Sequence, residues 1–118
     1  MGMVVPNVVE NEILTAALTP ALTLRLYSSD TTPIGTTLAA AFVEVAGGGY
    51  ANKALTLANW GIIQGNPTTA LYNAVQTWTF TGPTNAPAVI YGYYVTRNSD
   101  GKLMWAERFA AGVIPFAP

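Results

Sequence analysis

Six side chains in this sequence could carry acid–base chemistry: Glu10, Glu12, Asp30, Glu44, Asp100 and Glu107. There is no histidine and no cysteine. That removes the commonest general base and metal ligand, and all thiolate chemistry. Glu10 and Glu12 fall in the first turn of a predicted helix, where the helix dipole favours anions. Asp100 precedes Gly101 in a turn. Only Glu44 and Glu107 sit inside apolar strands. Two facing carboxylates are what glycoside hydrolysis requires, so this is the one candidate catalytic pair. No supporting His, Lys or Tyr constellation surrounds it. The plainer reading is preferred, in which each carboxylate pairs with an arginine or faces solvent. No catalytic residue, metal or cofactor is expected.

In "WAERF", Glu107 and Arg108 are neighbours on a strand and point to opposite sides. They cannot pair with each other, so each needs its own partner. One of them is expected to make an inter-chain or inter-strand ion pair, a role suited to arginine. Gly47–Gly49 lacks the Lys and Ser or Thr of a phosphate loop. It reads as a flexible connection or a place of close backbone approach. The aromatics Trp60, Trp78, Trp105, Tyr91, Tyr93 and Tyr94 could stack on sugar rings. Equally they could fill a core and an interface, where Tyr and Trp are both enriched.

The elements that position these residues follow from periodicity. "VIYGYYVTRNSDGKLMWAERF" (89–109) reads as a hairpin, with Asp100-Gly101 central in a type I′ turn. Ser99 then faces Lys102. One face carries Tyr94, Thr96, Trp105 and Glu107; the other carries Tyr91, Tyr93, Val95, Met104 and Arg108. Both faces are apolar, where a surface hairpin usually has one polar face.

Upstream, Asn7 and Glu10 resemble a capping box. A helix is expected over about 8–18, with Val9, Ile13, Ala16 and Ala17 near one side and Leu14 and Leu18 close by. Thr19-Pro20 ends it. In "ALTLRLYS", Leu22, Leu24 and Leu26 alternate with Thr23, Arg25 and Tyr27. "AFVEV", "NKALTLANW" and "AVQTWTFTG" read as further strands, with Leu55 and Leu57 inward and a turn around Gly65-Asn66-Pro67. The expected fold is all-β: one domain over 1–118, an antiparallel sandwich or barrel-like sandwich, with an N-terminal arm and helix over about 1–19. Leu22, Leu24, Leu26, Leu55, Leu57, Trp78, Phe80, Val95 and Trp105 are its expected core.

With 118 residues the chain is long enough to fold as one domain. It is 51% hydrophobic and only 9% charged, against about 25% in ordinary domains. Either other chains cover much of its surface, or Thr, Asn, Ser and Gln solvate it. The net charge is −1, and Arg25, Lys53, Arg97, Lys102 and Arg108 are scattered. No cluster suits nucleic acid. No apolar run reaches the length of a membrane span. The start lacks a basic region and an apolar core, so no signal peptide is expected.

"GGGYANKALTLANW", "TWTFTG" and "YGYYVTRNSDGKLMWAERF" resemble small all-β structural proteins of tailed bacteriophages, over roughly residues 20–110. The resemblance implies a virion component, of the capsid cement or decoration type, without enzymatic activity. It also implies a homo-oligomer, a trimer among its possible forms, that binds the major capsid protein and is made in the host cytoplasm. The alternatives are a tail or fibre-attachment protein and a glycan-binding β-sandwich.

Interface candidates are Tyr91, Tyr93, Tyr94, Met104, Trp105, Arg108 and Phe116. A stable interface takes roughly 800 Å² from each partner. Three or four aromatics at about 150–250 Å² each supply much of that. One face of the 89–109 hairpin is therefore expected on the domain's own core, and the other on a neighbouring chain. The apolar ends, "MGMVVP" and "VIPFAP", are expected to dock on a neighbour as well.

Overall fold

The computed structural model describes residues 7–64 and 69–115. Within them a helix, α1 (Asn7–Leu18), precedes six strands: β1 (Leu22–Tyr27), β2 (Lys53–Leu55), β3 (Trp60–Ile63), β4 (Thr69–Tyr72), β5 (Ile90–Arg97) and β6 (Leu103–Val113). One sheet has the order β2-β1-β5-β6, antiparallel throughout. The β3–β4 pair is a second, two-stranded antiparallel sheet. The architecture is thus mostly β with one short helix. The larger sheet stays open, with β2 and β6 as its edges.

α1 stops where Pro20 requires, and its last turn meets the sheet directly. Leu14 and Leu18, one turn apart, pack with Leu22, Leu55 and Val95. Val9 and Ile13, expected near the packed side, are exposed instead. β1 is internal to the sheet, so both its faces are covered. Leu22 and Leu26 are buried on one face, with Leu24 half-buried between them. On the other face Tyr27 is fully buried against Phe42 and Tyr94.

Several expected strands are shorter or unpaired. Residues 39–41 form a 3-10 turn, and "AFVEV" contributes one bridge, Glu44 to Tyr27, rather than a strand. "NKALTLANW" breaks after Leu55 into a 3-10 turn at Leu57–Asn59, which changes the period and turns Leu57 outward. "AVQTWTFTG", which bends at Ala74 and Gly82, joins no ladder among the described residues. Leu24, Trp78, Phe80 and Trp105 are half-buried rather than buried. The turn expected around Gly65-Asn66-Pro67 lies outside the described residues.

The hairpin departs from its expected register. The Gly101 N–H donates to the Arg97 carbonyl at 2.7 Å, and the Arg97 N–H to the Lys102 carbonyl at 2.9 Å. Gly101 has φ +69°; Asp100 does not have positive φ. The connection is therefore Asn98–Gly101, not a two-residue type I′ turn. Thr96 pairs with Leu103 and Val95 with Trp105, leaving Met104 as an extra residue on β6. Such a bulge moves the side chains that follow it, as far as Arg108, to the other face; a second irregularity between Ile90 and Gly92 shifts the ladder again. Trp105 and Glu107 consequently share a face with Tyr93 and Val95, and Arg108 shares one with Tyr94.

Candidate functional site

The two faces of the β5–β6 hairpin are built differently. On the first, Tyr93, Val95, Trp105 and Phe109 form one wall of an apolar cavity of about 560 Å³. Leu14 and Leu18 of α1, Trp60 and Tyr72 of the small sheet, and Trp78 form the rest. All three tryptophans line it. Trp60 meets Trp105 edge-on at 5.8 Å and Tyr72 at 4.9 Å between ring centroids. The buried Trp60 Nε1 has no hydrogen-bond partner among the described residues. Gln76 is the one amide side chain in the lining. These rings face inward as half-buried groups, not outward as the exposed aromatic row that a sugar platform needs.

The second face is covered by the chain itself. The segment after β1 folds back and lays Phe42 on Tyr94, with Tyr27 beside both. Arg25 reaches Glu44 at 2.7 Å and donates to the Thr96 hydroxyl at 3.0 Å. Glu44 also accepts from the Tyr50 hydroxyl at 2.8 Å and from Asn52 at 3.3 Å. Tyr50 in turn accepts the Leu26 N–H at 3.1 Å. Burial pushes the Tyr50 hydroxyl well above its ordinary range. Sequence reasoning passed over Tyr50. Its signal lay in the preceding glycines, all three with positive φ. A Cβ on Gly48 would collide with the Gly82 carbonyl, so here close backbone approach is what the glycines provide.

Glu44 and Glu107 are not brought together. Glu44 serves the Arg25–Tyr50 cluster on one face of the sheet, and Glu107 accepts from the Tyr93 hydroxyl at 3.0 Å on the other. Glu107 and Arg108 do part to opposite sides. Arg108 reaches back to Asp30 at 2.6 Å and lies 5.1 Å from the Tyr91 ring centroid. Its ion pair therefore lies within the chain.

The interface candidates separate accordingly. Tyr94 is only 5% exposed, enclosed by Tyr27 and Phe42, so it has no surface to offer a neighbour. Tyr91, Tyr93, Met104, Trp105 and Arg108 are half-buried, and they no longer share one face. Phe116 lies outside the described residues, as do residues 1–6. The larger apolar exposures are elsewhere: Val8 and Ile13 on α1, Ile34 and Leu38 in the covering segment, Val75, and Ile114 after β6. Sequence reasoning missed Ile34 and Leu38 because single apolar residues in an aperiodic segment give no pattern, and it placed Ile13 near the packed side of the helix. Among the described residues, no helix is long and apolar enough to cross a membrane. No known protein family, curated protein or solved structure matches the chain.

Proposed function

We propose that this protein is a non-enzymatic virion structural protein of the capsid cement or decoration type. In this reading it is a β-sandwich whose two sheets enclose the tryptophan-lined cavity. It oligomerises and binds the surface of the major capsid protein. The observation that carries the reading is the spread of exposed apolar side chains on a chain with few charges. Ile34, Leu38 and Val75 are 69%, 73% and 91% exposed, and the sequence between Lys53 and Arg97 contains no charged residue at all. Such surfaces suit burial against other chains. The resemblance of the glycine-tyrosine, "TWTF" and "WAERF" stretches to phage structural proteins points the same way.

The test is particle mass, measured on the purified protein alone and after mixing with capsid shells. Decoration of shells supports the proposal, and a monomer that ignores shells overturns it. Binding to tails but not shells overturns the capsid assignment in favour of tail or fibre attachment. Ile34→Asp with Leu38→Asp is expected to leave circular dichroism unchanged and to abolish decoration.

A further inference from the structure

From Thr69 to Thr81 exposure alternates at every residue. Ala70, Tyr72, Ala74, Gln76, Trp78 and Phe80 turn inward; Thr69, Leu71, Asn73, Val75, Thr77, Thr79 and Thr81 turn outward. This is the signature of a strand with one buried face. Among the described residues only its first part, β4, has a strand partner.

Residues 75–80 follow a bend at Ala74 and are nevertheless anchored on either side. At one end the Asn73 N–H donates to the Asn59 carbonyl at 2.7 Å, and at the other the Thr81 N–H donates to the Gly48 carbonyl at 2.9 Å. Between them the Trp78 indole N–H is fixed on the Ala51 carbonyl at 2.8 Å. Yet among the described residues no backbone group of 74–80 bonds to another backbone group, and only the Ala74 carbonyl is taken, by the Gln76 side-chain amide at 2.9 Å. A strand fixed at both ends and unpaired along its length is a template for another strand.

We infer that residues 74–80 pair antiparallel with the same segment of a second copy of this chain. Three features select that occupant. One isologous contact satisfies the open backbone groups of both copies at once. The segment is devoid of the charges, prolines and glycines with which exposed edges are usually blunted. Self-pairing therefore sets no like charges opposite one another and strips water from none. Its outward row is also rich in threonine and its inward row carries Trp78 and Phe80, the residue types that pair well across strands. Leu71 and Val75, both highly exposed, extend the contact along the outward row.

This goes beyond the capsid reading and does not rest on it. The measurements are sedimentation equilibrium and amide hydrogen exchange on the full chain. A dimer is expected, with amides of residues 75–80 gaining protection as concentration rises. Val75→Lys places a cation in each copy at a site that the fold leaves open. It should weaken the dimer at least about tenfold, mainly through faster dissociation, with unchanged circular dichroism. A monomer, an oligomer of odd order, unprotected amides in the oligomer, or unchanged affinity in Val75→Lys would each overturn the inference. Shell decoration is scored separately: a Val75→Lys variant that turns monomeric where the wild type is a dimer supports this inference, whether or not it still decorates shells.

Discussion

Phe42 lies flat on Tyr94, with ring centroids 4.8 Å apart and planes 12° from parallel. This contact closes the second face of the β5–β6 hairpin from within the chain. Phe42 is 6% exposed and belongs to a segment with almost no regular structure, so its ring is what attaches that segment to the sheet. Phe42→Ala is expected to destabilise the fold by about 3–5 kcal/mol, the range for a buried phenylalanine. Urea denaturation measures it. A loss below about 1 kcal/mol would mean that the segment can detach without consequence.

Tyr50 links two elements through one oxygen, accepting from Leu26 and donating to Glu44. Tyr50→Phe keeps the ring and removes that oxygen. The Leu26 N–H then loses its bond, and the expected cost is about 1–3 kcal/mol. The raised hydroxyl pKa sets the pH dependence. A raised folded value gives a contribution that is complete below the unfolded tyrosine value of 10.0 and is lost as pH rises through the folded one. Denaturation at neutral and at strongly alkaline pH should show wild type and Tyr50→Phe converging.

Ala88 adopts φ +64°, a region that costs a residue with a Cβ about 1–2 kcal/mol. Glycine removes that strain but adds roughly 0.5–1 kcal/mol of unfolded-state entropy. Ala88→Gly is therefore expected to be neutral or to stabilise by up to about 1 kcal/mol, the reverse of most Ala→Gly changes. Thermal unfolding decides it, and a clear fall in Tm would contradict the strain argument.

Asp100 holds the hairpin connection by accepting from the Arg97 guanidinium and from the Lys102 N–H. The hydrogen bond with Arg97 is the main cause that lowers its carboxyl from 3.8 to about 2. A depressed folded value gives a contribution present above the unfolded value and lost as pH falls through the folded one. The window is thus about pH 4 down to 2. NMR titration of the Asp100 carboxyl should give a midpoint near 2, and Arg97→Ala should return it towards the ordinary value.

What the sequence determined by itself was local. Thr19-Pro20 marked the end of α1, because the proline restriction acts on its immediate neighbour. The alternation of Leu22–Tyr27 marked a strand, and the alternation of 74–81 marked which side chains turn inward. The position of the last turn was legible from Asp100-Gly101. Tertiary structure decided what depends on distant partners. Met104 became the extra residue on β6, and this single shift exchanged the faces of Trp105, Glu107 and Arg108. Alternation cannot reveal such a shift, because the pattern on either side of it is unchanged. The cover over Tyr94 came from Phe42, in a segment without periodicity. Among the described residues, 74–80 obtained no partner strand, although their pattern is that of β structure. Periodicity records which side a residue faces; the bonded neighbour along a strand edge is set by contacts far away in the chain.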